Sequence, residues 1–270
     1  MYDTHIHTNN SPDSNQTIDD VCNAAINKGM KLISICDHAE VSLFNLFDFH
    51  QLIKNSIEDI ESAQIKYHDK LKILKGIEIS EFFWDEEKLS VFYSLTDYDV
   101  ILGSVHRVDC IGHTDSYSRV VMSDTTEENL HLFLRTYFDD MIRMIQNYDF
   151  DVLSHLTVPL RYINGKYGRG IELSRYKDTI EKILRMIIEK KIALEINTSG
   201  IDSDYGDFFP DVNIMKTYKA LGGKLITIGS DAHTSDRIGC GFDKAKNMLS
   251  EIGFTHYYYY EKRKPMAVEL

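Results

Sequence analysis

Short apolar runs rich in isoleucine, valine and leucine alternate with longer helical patterns along almost the whole of this 270-residue chain. No other feature constrains the fold as much. Strands are expected near residues 2–7, 32–36, 72–79, 100–105, 152–155, 193–197 and 225–230, and helices near 18–28, 49–68, 86–95, 126–147, 176–190, 212–221 and 244–252. Thr17 and Asp211 stand where helix N-caps belong, and Gly29 and Gly222-Gly223 supply helix stops. Seven β-then-α units with near-continuously apolar strands predict an α/β fold on a parallel sheet, closed or open. Only four prolines and no low-complexity tract interrupt the pattern, so residues 1–270 read as one domain. The run 254–260 is expected to form a terminal strand, and Lys262-Arg263-Lys264 a solvated tail.

Composition narrows the function classes. A formal charge of −12 argues against broad binding to a nucleic-acid backbone, so no nucleic-acid partner is expected. No apolar run approaches the roughly 20 residues that span a bilayer, and no basic-then-apolar leader precedes the first strand, so no membrane partner is expected. Four scattered cysteines without a C-x-x-C pair fit free thiols and a cytoplasmic setting.

The chemistry gathers where strands end. In Asp3-Thr4-His5-Ile6-His7 the two imidazoles fall on one side of a strand and can grip one ion, with Asp3 on the same face as a supporting acceptor. Asp13 follows in the next loop. Later strand ends carry Asp37-His38, Glu78, His106, His155 and Ser230-Asp231-Ala232-His233, while the sixth ends in Asn197. In an α/β barrel these ends form one mouth. Nine candidate ligands result: His5, His7, Asp13, His38, Glu78, His106, His155, Asp231 and His233. Imidazole and carboxylate without thiolate suit Zn, Mn or Fe, and nine donors call for two or three divalent ions. Clustered divalent ions suit phosphoester hydrolysis. His50, His68, His113, His131 and His256 read as ordinary hydrogen-bonding residues, with His113 nearest the mouth. Asp37 reads as an acceptor that orients a histidine.

These motifs, in this order, resemble those of the PHP (polymerase and histidinol phosphatase) family: Asp3-x-His5-x-His7, Cys36-Asp37-His38, Gly76-x-Glu78, Gly103-Ser104-Val105-His106, Ser154-His155 and Gly229-Ser230-Asp231-Ala232-His233. The resemblance implies a distorted seven-stranded (β/α)7 TIM-like barrel with a trinuclear metal centre. It is closest to the histidinol-phosphatase branch, through the loop from His7 to Asp13 and the ending Tyr260-Glu261-Lys262-Arg263-Lys264-Pro265. Many family members carry histidine where this chain has Asp13. Carried over, the pattern gives one ion to His5, His7, Glu78 and Asp231, a second to Glu78, His106 and His155, and a third to Asp13, His38 and His233. Glu78 would bridge the first two.

What the resemblance implies about activity is hydrolysis of L-histidinol phosphate to L-histidinol and phosphate, with metal-bound hydroxide attacking phosphorus. Asp231 and His233 are the candidates for proton handling. For the phosphate, Arg161 just after the fifth strand is the first candidate, followed by Arg119 and Arg107 after the fourth, because a guanidinium suits bidentate anion recognition. The segment Phe82-Phe83-Trp84-Asp85 reads as a rim plug before a substrate wall, and His113, Asp115 and Tyr117 as residues within reach of a substrate. The rival expectations are a PHP phosphodiesterase or exonuclease, a phosphotyrosine phosphatase, and a metal-binding PHP module without turnover.

Overall fold

The computed structural model describes residues 1–110 and 116–270. The elements run β1 (Tyr2–Ile6), α1 (Ile18–Asn27), β2 (Leu32–Ile35), β3 (His38–Glu40), α2 (Phe49–Tyr67), β4 (Lys72–Ser80), α3 (Glu86–Ser94), β5 (Val100–Ser104), α4 (Glu127–Asn147), β6 (Val152–Leu153), α5 (Lys177–Lys190), β7 (Ala193–Asn197), α6 (Val212–Ala220), β8 (Ile226–Gly229), α7 (Phe242–Ile252), β9 (His256–Glu261) and β10 (Lys264–Glu269). No helix among the described residues is long and apolar enough to cross a membrane.

Seven parallel strands form a nearly closed barrel in the order β1-β2-β4-β5-β6-β7-β8. The last gap is bridged rather than laddered: Asp231 N–H donates to the His5 carbonyl at 2.8 Å, and His7 N–H to the Ala232 carbonyl at 3.1 Å. Closure therefore runs through the residues of the first and last motifs. β3 was not foreseen; its three residues pair with the outer end of β4 in the register His38↔Glu78, which places that imidazole beside that carboxylate. The expected fifth strand shrinks to Val152–Leu153, because the backbone turns at His155, whose φ is +25°.

Local signals explain the helices. Thr17 and Asp20 exchange hydrogen bonds in a capping box at the start of α1, whose Val21, Cys22 and Ala25 are buried. Asp211 caps α6 through Asn213 N–H and Ile214 N–H, and Thr126 caps α4 through Asn129 N–H. Helical apolar faces cover the outside of the barrel in one large core around α4 and α5 and a smaller one under α1 and α2.

The C-terminal residues are not a solvated tail. β9 and β10 form an antiparallel hairpin whose Tyr257 and Tyr260 are buried. Tyr259 stacks on Tyr2 at 5.6 Å. Lys262 N–H donates to the Asp99 carboxylate at 3.0 Å, and the Arg263 guanidinium pairs with Asp149 and Asp151. Tyr2, Asp99 and Asp151 all lie at strand starts, so the hairpin seals the end of the barrel opposite the strand-end cluster. Asp151 is 8% exposed and also accepts the Ile101 N–H, so losing Arg263 strands a buried carboxylate. Arg263→Ala is expected to lower stability by about 1–3 kcal/mol in denaturant unfolding, with little change at the other end of the barrel.

Candidate metal centre

Glu78, fully buried near the end of β4, is the hub of the strand-end cluster. Its Oε1 lies 2.7 Å from His155 Nε2 and 3.3 Å from His106 Nε2. Its Oε2 lies 2.9 Å from His38 Nδ1, 3.5 Å from His5 Nε2 and 3.7 Å from His7 Nε2. Asp231 Oδ1 reaches His7 Nε2 at 3.1 Å and His5 Nε2 at 3.9 Å. Asp13 lies outermost, 61% exposed, with Oδ1 at 3.3 Å from His233 Nε2 and 3.5 Å from His38 Nε2. All nine expected donors thus meet at the C-terminal mouth. Three triads have ligand atoms close enough to share an ion: His5, His7 and Asp231; His38, Glu78 and His106; and His7, His38 and His233. The triads overlap at His7 and His38, so the groupings are less separate than the three sets carried over from the family.

Hydrogen bonding fixes which way several imidazoles face. His5 Nδ1 is 2.7 Å from Glu195 Oε1, and a carboxylate only accepts, so the proton sits on Nδ1. Ser11 gives its hydroxyl proton to Asp37 Oδ1 at 2.7 Å and therefore accepts from His7 Nδ1 at 3.1 Å. His233 Nδ1 donates to the Asp231 carbonyl at 3.0 Å. With these protons placed, the Nε2 lone pairs of neutral His5 and His7 confront each other at 3.1 Å. His38 and His233 approach Nε2 to Nε2 at 3.3 Å, and His106 and His155 at 3.5 Å. Paired lone pairs beside a buried carboxylate repel unless cations lie between them, so this donor set fits divalent ions. Glu78 Oε2 itself is buried and, although 2.9 Å from His38 Nδ1, makes no well-aligned hydrogen bond among the described residues.

Charge points the same way. Burial opposes the charged form of His5, but the Glu195, Glu78 and Asp231 carboxylates outweigh it and hold the pKa well above the ordinary imidazole value. His38 behaves likewise through Asp13 and Glu78, and His106 is lifted to about 10 by Glu78 and Glu40 despite its burial. His7 moves down, from burial and the neighbouring His233 and His38. Burial would push the Glu78 and Asp231 carboxyls up, but the surrounding imidazolium charge holds both well below their usual range. The cage therefore demands positive charge, which protons supply when no metal does.

Sequence reasoning missed part of the supporting shell. Glu195, on β7, is fully buried, holds His5 and accepts the His155 N–H at 2.8 Å. Asn197, on the same face, donates to Glu195 at 3.1 Å and to Asp231 at 3.2 Å. A charged residue inside an otherwise apolar strand, two positions before Asn197, was the available signal. Asp37 accepts from Thr8, Ser11 and Ser56 and not from a histidine as expected; it reaches His7 only through Ser11. Asp3 accepts from Ser230 N–H and Gly239 N–H and ties β1 to the chain after β8.

A cavity of about 280 Å³ opens beside the cluster and is lined by Arg107, Arg119, Arg161, Tyr117 and Tyr162 among others. All three arginines singled out in the sequence reach it. Arg161 donates to Ser199 Oγ, lies over the Phe209 ring at 5.2 Å and sits 3.9 Å from Asp231 Oδ2. Phe82 and Asp85 are not part of it: Phe82 packs on Tyr148 and Phe150, and Asp85 caps α3. Tyr117 is buried in the cavity wall, while His113 and Asp115 lie outside the described residues.

A (β/α) barrel with a histidine–carboxylate cage at its C-terminal mouth defines a class of metal-centred hydrolases. A family model described as "PHP domain" matches residues 3–199, and the chain belongs to the PHP family. It is 31% identical over 273 residues to a probable histidinol-phosphatase of Thermotoga maritima, covering 100% of both chains. It is 28% identical over 257 residues to the histidinol-phosphatase of Lactococcus lactis, covering 93% of this chain and 91% of that one. The fold is similar to the crystal structure of the Lactococcus lactis histidinol phosphate phosphatase complexed with zinc, L-histidinol and phosphate, with a TM-score of 0.78, 24% identity and 98% of each chain covered.

Two expected outcomes follow from the cage. Where a histidine pKa is raised on folding, as for His106 from 6.5 to about 10, its stabilisation is complete below the unfolded value and lost as pH rises through the folded one. Four imidazoles are raised and one lowered, so the melting temperature of chelator-treated protein should fall between pH 6.5 and 10. Added zinc should raise it more at pH 8 than at pH 6, because metal and protons compete; equal shifts would contradict the arrangement. The second outcome concerns Gly229, where an added Cβ would collide with the Glu195 carboxylate and the His5 Cβ. Gly229→Ala should lower zinc affinity by about 10- to 100-fold in a chelator competition titration.

Proposed function

We propose that this chain is a metal-dependent phosphomonoesterase that hydrolyses L-histidinol phosphate to L-histidinol and inorganic phosphate. The observation that carries the reading is the abutment of a cation-demanding cage and an arginine-lined cavity, in a chain alignable end to end with a probable histidinol-phosphatase. His5, His7, Glu78 and Asp231 would hold one ion, Glu78, His106 and His155 a second, and Asp13, His38 and His233 a third. When bound, divalent ions supply Lewis acidity and lower the pKa of coordinated water to about 7 at a catalytic zinc site.

The chain's own residues do the rest. Arg161 lines the cavity and is held by Ser199 and Phe209, so its guanidinium is oriented for a phosphate oxygen. Arg107 and Arg119 flank the same space. Tyr117 and Tyr162, with ring centroids 5.6 Å apart, and the apolar Leu43 and Phe47 offer a wall for the leaving group's imidazole. Asp231 and His233 border the cavity, which supports a role for them in handling the proton that the leaving oxygen needs. A mouth of this size and a chain charge of −12 favour a small ester over a polynucleotide.

Steady-state assays of the zinc-loaded protein on histidinol phosphate, p-nitrophenyl phosphate and a dinucleotide test the reading. A kcat/KM no higher on histidinol phosphate than on the generic ester would sink the substrate assignment. Arg161→Ala should cost about 10- to 100-fold in kcat/KM, the worth of one charge-assisted hydrogen bond, with metal content unchanged by elemental analysis.

A further inference from the structure

Glu81 is the least explained carboxylate at the mouth. It is fully buried, follows the end of β4, and holds a left-handed backbone with φ of +52° that a residue with a Cβ rarely adopts. No motif contains it. Its Oε1 accepts two consecutive backbone donors, His106 N–H at 2.7 Å and Arg107 N–H at 2.9 Å. Its Oε2 accepts the hydroxyls of Ser80 at 2.8 Å and Ser42 at 3.1 Å. Every one of these donors is neutral. A fully buried carboxyl group in strained backbone without a cationic partner among the described hydrogen bonds is not what packing alone selects.

The two pinned residues are what give the arrangement meaning. His106 is a member of the metal cage, with Nε2 3.3 Å from Glu78 and Nδ1 3.5 Å from Glu40. Arg107, the next residue, lines the substrate cavity, with Nε 3.8 Å from Glu40 Oε2. Neighbouring residues in extended chain point to opposite faces, so both can serve one site only if the chain turns sharply as it leaves β5. A single acceptor gripping two successive N–H groups fixes such a turn.

We propose that Glu81 is a positioning residue that holds His106 on the metal cage and Arg107 on the phosphate cavity at once, so that one carboxylate sets the register between the second ion and the substrate. Through Ser42 it also ties this turn to the segment after β3, which carries Leu43 into the cavity wall. The inference rests on the phosphoesterase reading, but its measurements do not.

The test compares two variants in the zinc-loaded full chain. Glu81→Gln keeps the reach and an amide oxygen able to accept both N–H groups, and gives up the charge. Glu81→Asp keeps the charge and shortens the reach by about 1.5 Å. The readouts are zinc per chain after dialysis, the Kd for inorganic phosphate by calorimetry, and the melting temperature. Glu81→Gln should keep the zinc content and hold the phosphate Kd within about threefold of the parent. Glu81→Asp should lose zinc from the His106 position and weaken phosphate binding by about tenfold or more. Glu81→Ala should match Glu81→Asp where it folds, and the Gln–Asp pair decides the matter if it does not. The proposal is overturned if Gln and Asp behave alike in both binding readouts, whether intact or impaired, or if Asp is the better tolerated. If the parent ignores histidinol phosphate, the substrate reading fails while these binding measurements still judge Glu81.

Discussion

A carboxylate with no access to water, surrounded by imidazoles from four other strand ends, is the constraint around which this molecule is arranged. Glu78 has zero exposure and lies within 3.7 Å of His5, His7, His38, His106 and His155. An uncompensated anion there would be prohibitively expensive, and neutral imidazoles cannot repay it because their lone pairs also face inward. The centre is stable only as a container for positive charge. The barrel is the means of delivery, since no local stretch of chain can bring residues 5, 38, 78, 106 and 155 to one point.

Around the cage stands a ring of carboxylates that do not face it directly. Glu195 holds His5 and the backbone of His155, Asp37 holds the loop after β1, Asp3 holds the chain after β8, and Glu81 holds the exit of β5. Each is buried, and Glu195 and Glu81 tie the backbone or ring of a cage residue to another strand. His155 and Asp231, like Glu81, sit just past their strands with positive φ. The backbone turns sharply at these points, which aims the side chains inward at some conformational cost.

Much of this was legible in the sequence because its periodicities are simple. Apolar runs marked the strands, and donors at their ends marked the mouth, so the nine cage residues could be named without coordinates. β3 escaped because His38-Ala39-Glu40 has no apolar run and is held by pairing with β4 alone. Glu195 escaped because the sixth strand was read only at its last residue. Glu81 escaped because nothing local distinguishes it from a solvated loop acid; its partners are 25 and 26 residues away. The hairpin role of Lys262-Arg263-Lys264 depends on Asp99, Asp149 and Asp151, a purely tertiary fact. The arginines could be ranked by position, but only the fold shows Arg161 held by Ser199 and Phe209.

Barrel closure through the first and last motifs has a consequence for how the protein comes into being. His7 and Asp231, which face each other at 3.1 Å, are separated by 224 positions of chain. The strand bearing His5 and His7 leaves a ribosome well before its partner across the seam. Until residues 231–261 have been made, the early imidazoles have no Asp231 and no His233, and Tyr2 has no Tyr259 to stack on. The finished cage therefore cannot template the nascent chain. A metal ion can be captured by the complete set of donors only once the chain has been made through His233.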